Sequence, residues 1–101
     1  MKLLTVKHTP DAFKKKYMAT FLVDGKEKTV LFGQKGYNDF ITYSKTDKDL
    51  AEQKRKAYIA RHRPNEDWSN PLSPGTLSRF ILWEHPSLLT AIRQYKHRFS
   101  L

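Results

Sequence analysis

The chain has 101 residues, 39% of them hydrophobic and 13% aromatic, which sets the expectation of one domain around one modest, aromatic-rich core. Nineteen Lys and Arg against ten Asp and Glu give +9 at neutral pH, a field that favours polyanions: nucleic acid, an anionic membrane surface or an acidic protein. The absence of cysteine excludes disulfides, thiol catalysis and Cys-based zinc sites, and no run approaches the roughly 18 apolar residues of a transmembrane helix.

In chain order, Leu3-Leu4-Thr5-Val6 reads as a short strand closed by the turn-prone Thr9-Pro10-Asp11. The first dozen residues, 1–12, look like a loosely attached N-terminal segment. Lys7 interrupts what would be the apolar region of a signal peptide. With no cysteines either, the expected setting is soluble and intracellular, not secreted. Lys14-Lys15-Lys16 leads into Tyr17–Val23, and Lys26–Phe32 follows across Asp24-Gly25. Two aromatic and β-branched runs around Asp-Gly predict a hairpin, because both central positions of a type I′ turn need positive φ. Alternation puts Tyr17, Ala19, Phe21 and Val23 on one face and Lys16, Met18, Thr20 and Leu22 on the other.

Gly33 and Gly36 stand three apart. Such a pair can cradle a phosphate on backbone amides, but no P-loop Lys-Ser or Lys-Thr follows and no dinucleotide fingerprint is completed, so a tight exit from the strand is the simpler reading. Asn38–Tyr43 reads as a third strand or as an irregular aromatic patch. From Asp47 to Arg63 a helix is expected, capped by Thr46 or Asp47. Leu50, Ala51, Ala57 and Tyr58 form its apolar stripe, with Lys48, Arg55, Lys56 and Arg63 roughly opposite. Pro64 ends it. Ser73 and Pro74 read as the cap and first residue of a short buried helix carrying Leu77, Phe80, Ile81, Leu82 and Trp83. Pro86 opens a last helix with Leu88, Leu89, Ile92, Tyr95 and Phe99 at helical spacing. The expected fold is α+β, an antiparallel β-hairpin or three-stranded sheet packed against two or three C-terminal helices, in a single compact domain spanning 1–101.

His8, His62, His85 and His97 lack ligand spacing, so neither a metal nor a cofactor is expected. Ser69, Ser73, Ser78 and Ser87 suit turns and caps better than nucleophiles. The adjacent carboxylates Glu66 and Asp67 would serve a nuclease only by meeting a histidine in one cleft, so the reading is non-enzymatic and no catalytic residue is assigned. The strongest signal is Lys54-Arg55-Lys56 and Arg61-His62-Arg63 on either side of Tyr58, with no acidic residue between them. Lys14, Lys15 and Lys16 can extend that stripe. The candidate phosphate contacts are therefore Lys14, Lys15, Lys16, Lys54, Arg55, Lys56, Arg61 and Arg63. Trp68 and Trp83 suit a core or junction, or an interface anchor.

Three stretches also carry a resemblance: Phe32-Gly33 with Gly36-Tyr37-Asn38-Asp39-Phe40, Tyr58-Ile59-Ala60-Arg61-His62 with Asn65-Glu66-Asp67-Trp68-Ser69-Asn70-Pro71, and Gly75–Trp83 with Pro86-Ser87-Leu88. They resemble motifs in a family of small basic proteins encoded by nucleocytoplasmic large DNA viruses, the giant viruses. The likeness runs from Lys16 to Phe99 and leaves Met1 to Thr9 outside it. That family carries no assigned function, so the resemblance transfers no catalytic or binding residue. It implies a viral setting, in the virion or in the host cytoplasm or nucleus, where basic proteins neutralise packaged DNA and small proteins cement capsids. Two functions are then expected. One is a largely sequence-independent nucleic-acid-binding protein, with DNA the first partner considered. The other is a minor structural or interaction module meeting an acidic virion protein, anchored by Trp68 or by Tyr37 and Phe40.

Overall fold

The computed structural model describes residues 1–101. Strands β1 (Lys2–His8), β2 (Lys15–Val23) and β3 (Lys26–Gln34) form one antiparallel sheet in the order β1-β2-β3. Asp24 and Gly25 take φ of 51° and 78°, the left-handed pair that a two-residue hairpin loop requires. Pairing then runs from Val23↔Lys26 to Lys15↔Gln34. Tyr17, Ala19 and Phe21 are buried together with Val30 and Phe32, as the alternation predicts.

The N-terminal residues correct the expectation of a loosely attached segment. β1 pairs along β2 from Lys2↔Leu22 to His8↔Tyr17, and Leu3 is only 3% exposed. One buried side chain and a ladder interrupted only by a register shift between Leu3 and Thr5 hold an edge strand whose other residues are mostly polar. The Thr9 hydroxyl closes the connection by donating to the backbone carbonyls of Lys15 and Lys16.

The third strand or aromatic patch expected at Asn38–Tyr43 is instead helix α1 (Phe40–Ser44). A reciprocal capping box decides it: Thr42 N donates to Asp39 Oδ1 at 3.0 Å and Asp39 N donates to Thr42 Oγ1 at 2.8 Å. Helix α2 (Lys48–His62) follows, its cap being Asp47, which accepts from Leu50 N at 3.0 Å. A 3₁₀ turn, Arg63–Asn65, carries Pro64. Helix α3 (Pro74–Leu77) begins with proline at its first position, but Ser73 contributes its carbonyl and not its hydroxyl. The same segment continues as a π-helical turn, Ser78–Leu82, closed by Trp83 N donating to Ser78 O at 3.2 Å. Helix α4 (Leu88–Phe99) starts after Pro86, with Ser87 as its cap.

The inner sheet face packs on Leu77, Ile81 and Leu82 of the α3–π segment and on Ala91 and Tyr95 of α4. The Tyr95 hydroxyl, buried with its ring, donates to Pro71 O at 2.7 Å, which meets the need of a buried hydroxyl for a partner. Leu89, expected on the inner stripe, is 74% exposed; the stripe runs through Leu88, Ala91, Ile92, Tyr95 and Phe99. Gly33 has a φ of 75° and lets the backbone of β3 pass close to the π turn, since a Cβ there would lie 2.9 Å from Leu82 Cδ1. No helix is long and apolar enough to cross a membrane.

Candidate nucleic-acid interface

The π turn brings Trp83 and Glu84 against α2. The Trp83 and Tyr58 rings stack with centroids 4.5 Å apart and planes 8° from parallel, and His62 stacks on Tyr58 at 4.2 Å. Arg55 Nε donates to Trp83 O at 3.0 Å and its Nη2 to Glu84 Oε1 at 2.8 Å. Arg79 Nη1 takes the other carboxylate oxygen of Glu84, also at 2.8 Å. Burial opposes ionisation of Glu84, but the Arg79 and Arg55 guanidiniums outweigh it and hold its pKa below the usual carboxylate value. Burial, reinforced by the nearby Glu66 charge, pushes the Tyr58 phenol up to about 12.

The stacked Tyr58, His62 and Trp83 rings line one wall of a cleft of about 670 Å³. The opposite wall is the start of β2, the end of β3 and the loop from Tyr37 to Asp39. That loop is pinned: Lys16 Nζ donates to Tyr37 O at 2.7 Å and to Asp39 Oδ2 at 2.9 Å. Gly33 and Gly36 shape this strand exit through positive φ, as the simpler reading of that pair has it. Lys15, Lys16, Lys54 and Arg61 reach the cleft from two elements far apart in sequence, against two carboxylates, Asp39 and Glu66. Asp39 is held by Lys16 and by the α1 cap. Glu66 accepts from Trp68 Nε1 at 2.7 Å and faces His62 Nδ1 at 3.4 Å.

The eight predicted phosphate contacts therefore divide. Lys15, Lys54 and Arg61 line the cleft, are exposed and form no ion pair. Lys16 lines it but is committed to Asp39. Arg55 is corrected from the solvated face to the junction, because its guanidinium is spent on Glu84 and the Trp83 carbonyl. Lys56 and Arg63 are exposed but outside the cleft; about 3.6 residues per turn puts them on the side of α2 away from Lys54 and Arg61. Lys14 is exposed just before β2, also outside the cleft. Lys54 Nζ lies 5.9 Å from the centre of the Tyr43 ring, within reach of a cation–π attraction.

Glu66 and His62 do share the cleft, whereas Asp67 turns aside and accepts from Ser69 N at 3.0 Å and Ser69 Oγ at 2.6 Å. The Ser69 hydroxyl and then its amide lower the Asp67 pKa. No three His, Asp or Glu side chains are grouped so as to hold a metal ion. Among the proposed anchors, Phe40 is buried and Trp68 half-buried, while Tyr37 is 68% exposed.

No protein-family model, curated protein or solved structure matches the chain. The geometry of the cleft is what bears on its use. Tyr37, Tyr43 and Trp83 line the same cleft as the basic residues, a grouping absent from the sequence expectations. The Gly33–Gly36 pair was the available signal for Tyr37, since it marks a strand exit at the cleft mouth. Nothing in the spacing pointed to Tyr43 or Trp83.

Proposed function

We propose that this is a non-enzymatic nucleic-acid-binding protein, largely indifferent to sequence, that holds the sugar–phosphate backbone with Lys15, Lys54 and Arg61. One observation carries the reading: three cations without ion pairs converge from β2 and α2 on one concave surface whose two carboxylates are already engaged. A phosphate there meets positive charge that no internal partner has neutralised, and phosphate contacts of this kind supply affinity without reading bases. The resemblance to giant-virus proteins extends the proposal to a large DNA virus, with the protein associated with the virion or its packaged DNA. An acidic virion protein remains the alternative partner for the same charges, and Tyr37 is the exposed anchor it would use.

The test is fluorescence anisotropy of a labelled DNA fragment titrated at several salt concentrations. Affinity should fall linearly in a log–log plot, and each of Lys15→Ala, Lys54→Ala and Arg61→Ala should flatten the slope by about 0.7–0.9. Lys56→Ala should change it less, and altering the base sequence should change nothing. Absence of binding at low salt sinks the proposal, and preferential capture by a polyglutamate peptide favours the acidic partner.

A further inference from the structure

The cleft also has a feature that phosphate binding leaves unused. Tyr37 sits at its mouth, 68% exposed as a residue, and its ring packs on no other aromatic ring. Its backbone is fixed from both sides: Lys16 Nζ donates to its carbonyl at 2.7 Å, Gly36 turns the chain into it with a φ of 85°, and Asp39 caps α1 just beyond. Most of the cost of ordering this loop on binding has thus been met by folding. An exposed ring on a fixed backbone, lining the same cleft as Lys15 and Lys54, is a surface for a flat, weakly polar group attached to an anionic chain.

Resting on the reading above, we infer that the preferred ligand is single-stranded nucleic acid, with an unpaired base stacked on Tyr37 while its flanking phosphates lie on Lys15, Lys54 and Arg61. An unpaired base can offer a face to the ring, whereas bases inside a duplex are covered by their neighbours on both sides. The cleft volume of about 670 Å³ is in the range of roughly 300–1,000 Å³ typical of small-molecule sites, room enough for a nucleotide. Trp83 is less available, since Tyr58 already covers one of its faces. Stacking on one ring tolerates every base, so this deepening keeps the indifference to sequence.

The experiment compares three labelled probes of equal length on the intact protein: oligothymidylate, its duplex with oligodeoxyadenylate, and an abasic strand with the same phosphates. Oligothymidylate should bind roughly tenfold more tightly than the abasic strand, the size of one base–aromatic stack, and more tightly than the duplex. Tyr37→Ala should erase that advantage while leaving abasic binding and the melting temperature unchanged. Tyr37→Phe should retain it. Equal affinity for the abasic strand, a preference for duplex, or an unaltered Tyr37→Ala profile overturns the inference while leaving the phosphate-binding reading standing. Failure of all three probes to bind overturns both.

Discussion

Tyr58 and Trp83 stack almost parallel, 4.5 Å between centroids, and this contact joins α2 to the π turn that carries the cleft wall. Trp83→Ala should lower unfolding free energy by about 2–4 kcal/mol, since it removes a large half-buried ring and leaves Tyr58 without its partner. A double-mutant cycle with Tyr58→Ala, read by urea denaturation, should return a coupling of about 1 kcal/mol. Simple additivity of the two losses would mean that the stack contributes only area.

Neighbouring cations on α2 should behave oppositely. Arg55→Ala breaks the bonds to Glu84 and to the Trp83 carbonyl and should cost about 1–3 kcal/mol of stability. Lys54→Ala should leave stability within about 0.5 kcal/mol and act on nucleic-acid affinity instead. Thermal melting and anisotropy on the same two variants separate these roles. An Arg55→Ala protein that melts normally but binds poorly would return Arg55 to the binding set.

Glu84 should produce an acid limb in stability. Its folded pKa lies below the ordinary 4.5, so the unfolded chain takes up its proton first as the pH falls. Its contribution is complete above the ordinary value and is lost as the pH drops through the depressed folded one. Glu84→Gln should therefore melt lower than the parent near neutral pH, with the two melting curves converging in acid. A constant gap between them would show that the Arg79 and Arg55 contacts act through shape and not charge.

At the alkaline end the sign reverses. Burial raises Tyr17 and Tyr95, and Tyr58 reaches about 12 from an ordinary value of 10.0. The unfolded phenol loses its proton first, so the contribution is intact below the ordinary value and declines as the pH rises through the folded one. Spectrophotometric titration of Tyr58→Phe should lack the tyrosinate component near 12, and its melting temperature should fall less between neutral and strongly alkaline pH. An unchanged titration would place Tyr58 outside the buried stack.

Much of the architecture is legible in local chemistry. Asp24-Gly25 and the alternation around it specify the hairpin, Pro74 the start of α3, and the spacing of Leu88, Ile92, Tyr95 and Phe99 the inward stripe of α4. Reading fails where a short signal depends on a partner distant in sequence. Leu3 lies in a run too short to look secure, yet the ladder to β2 and its buried side chain make β1 part of the sheet. Asn38–Tyr43 looks strand-like by composition, and the Asp39–Thr42 capping box turns it into α1. Arg55 looks like its neighbours Lys54 and Lys56 until Glu84, 29 positions away, claims its guanidinium.

The same division holds for the candidate interface. By itself, the sequence determined the surplus of positive charge, the basic runs Lys14–Lys16 and Lys54–Lys56 within it, and the α+β class, because charge, periodicity and turn chemistry are local properties of the residues. Only the tertiary structure decided which cations face a common cleft. That depends on how α2 is held beside the π turn, through the Tyr58–Trp83 stack and the Arg55–Glu84–Arg79 network. Those contacts join residues distant in the chain, so their energy appears only on folding. They leave Lys15, Lys54 and Arg61 on one concave surface with Tyr37 at its mouth, and put Lys56 and Arg63 elsewhere.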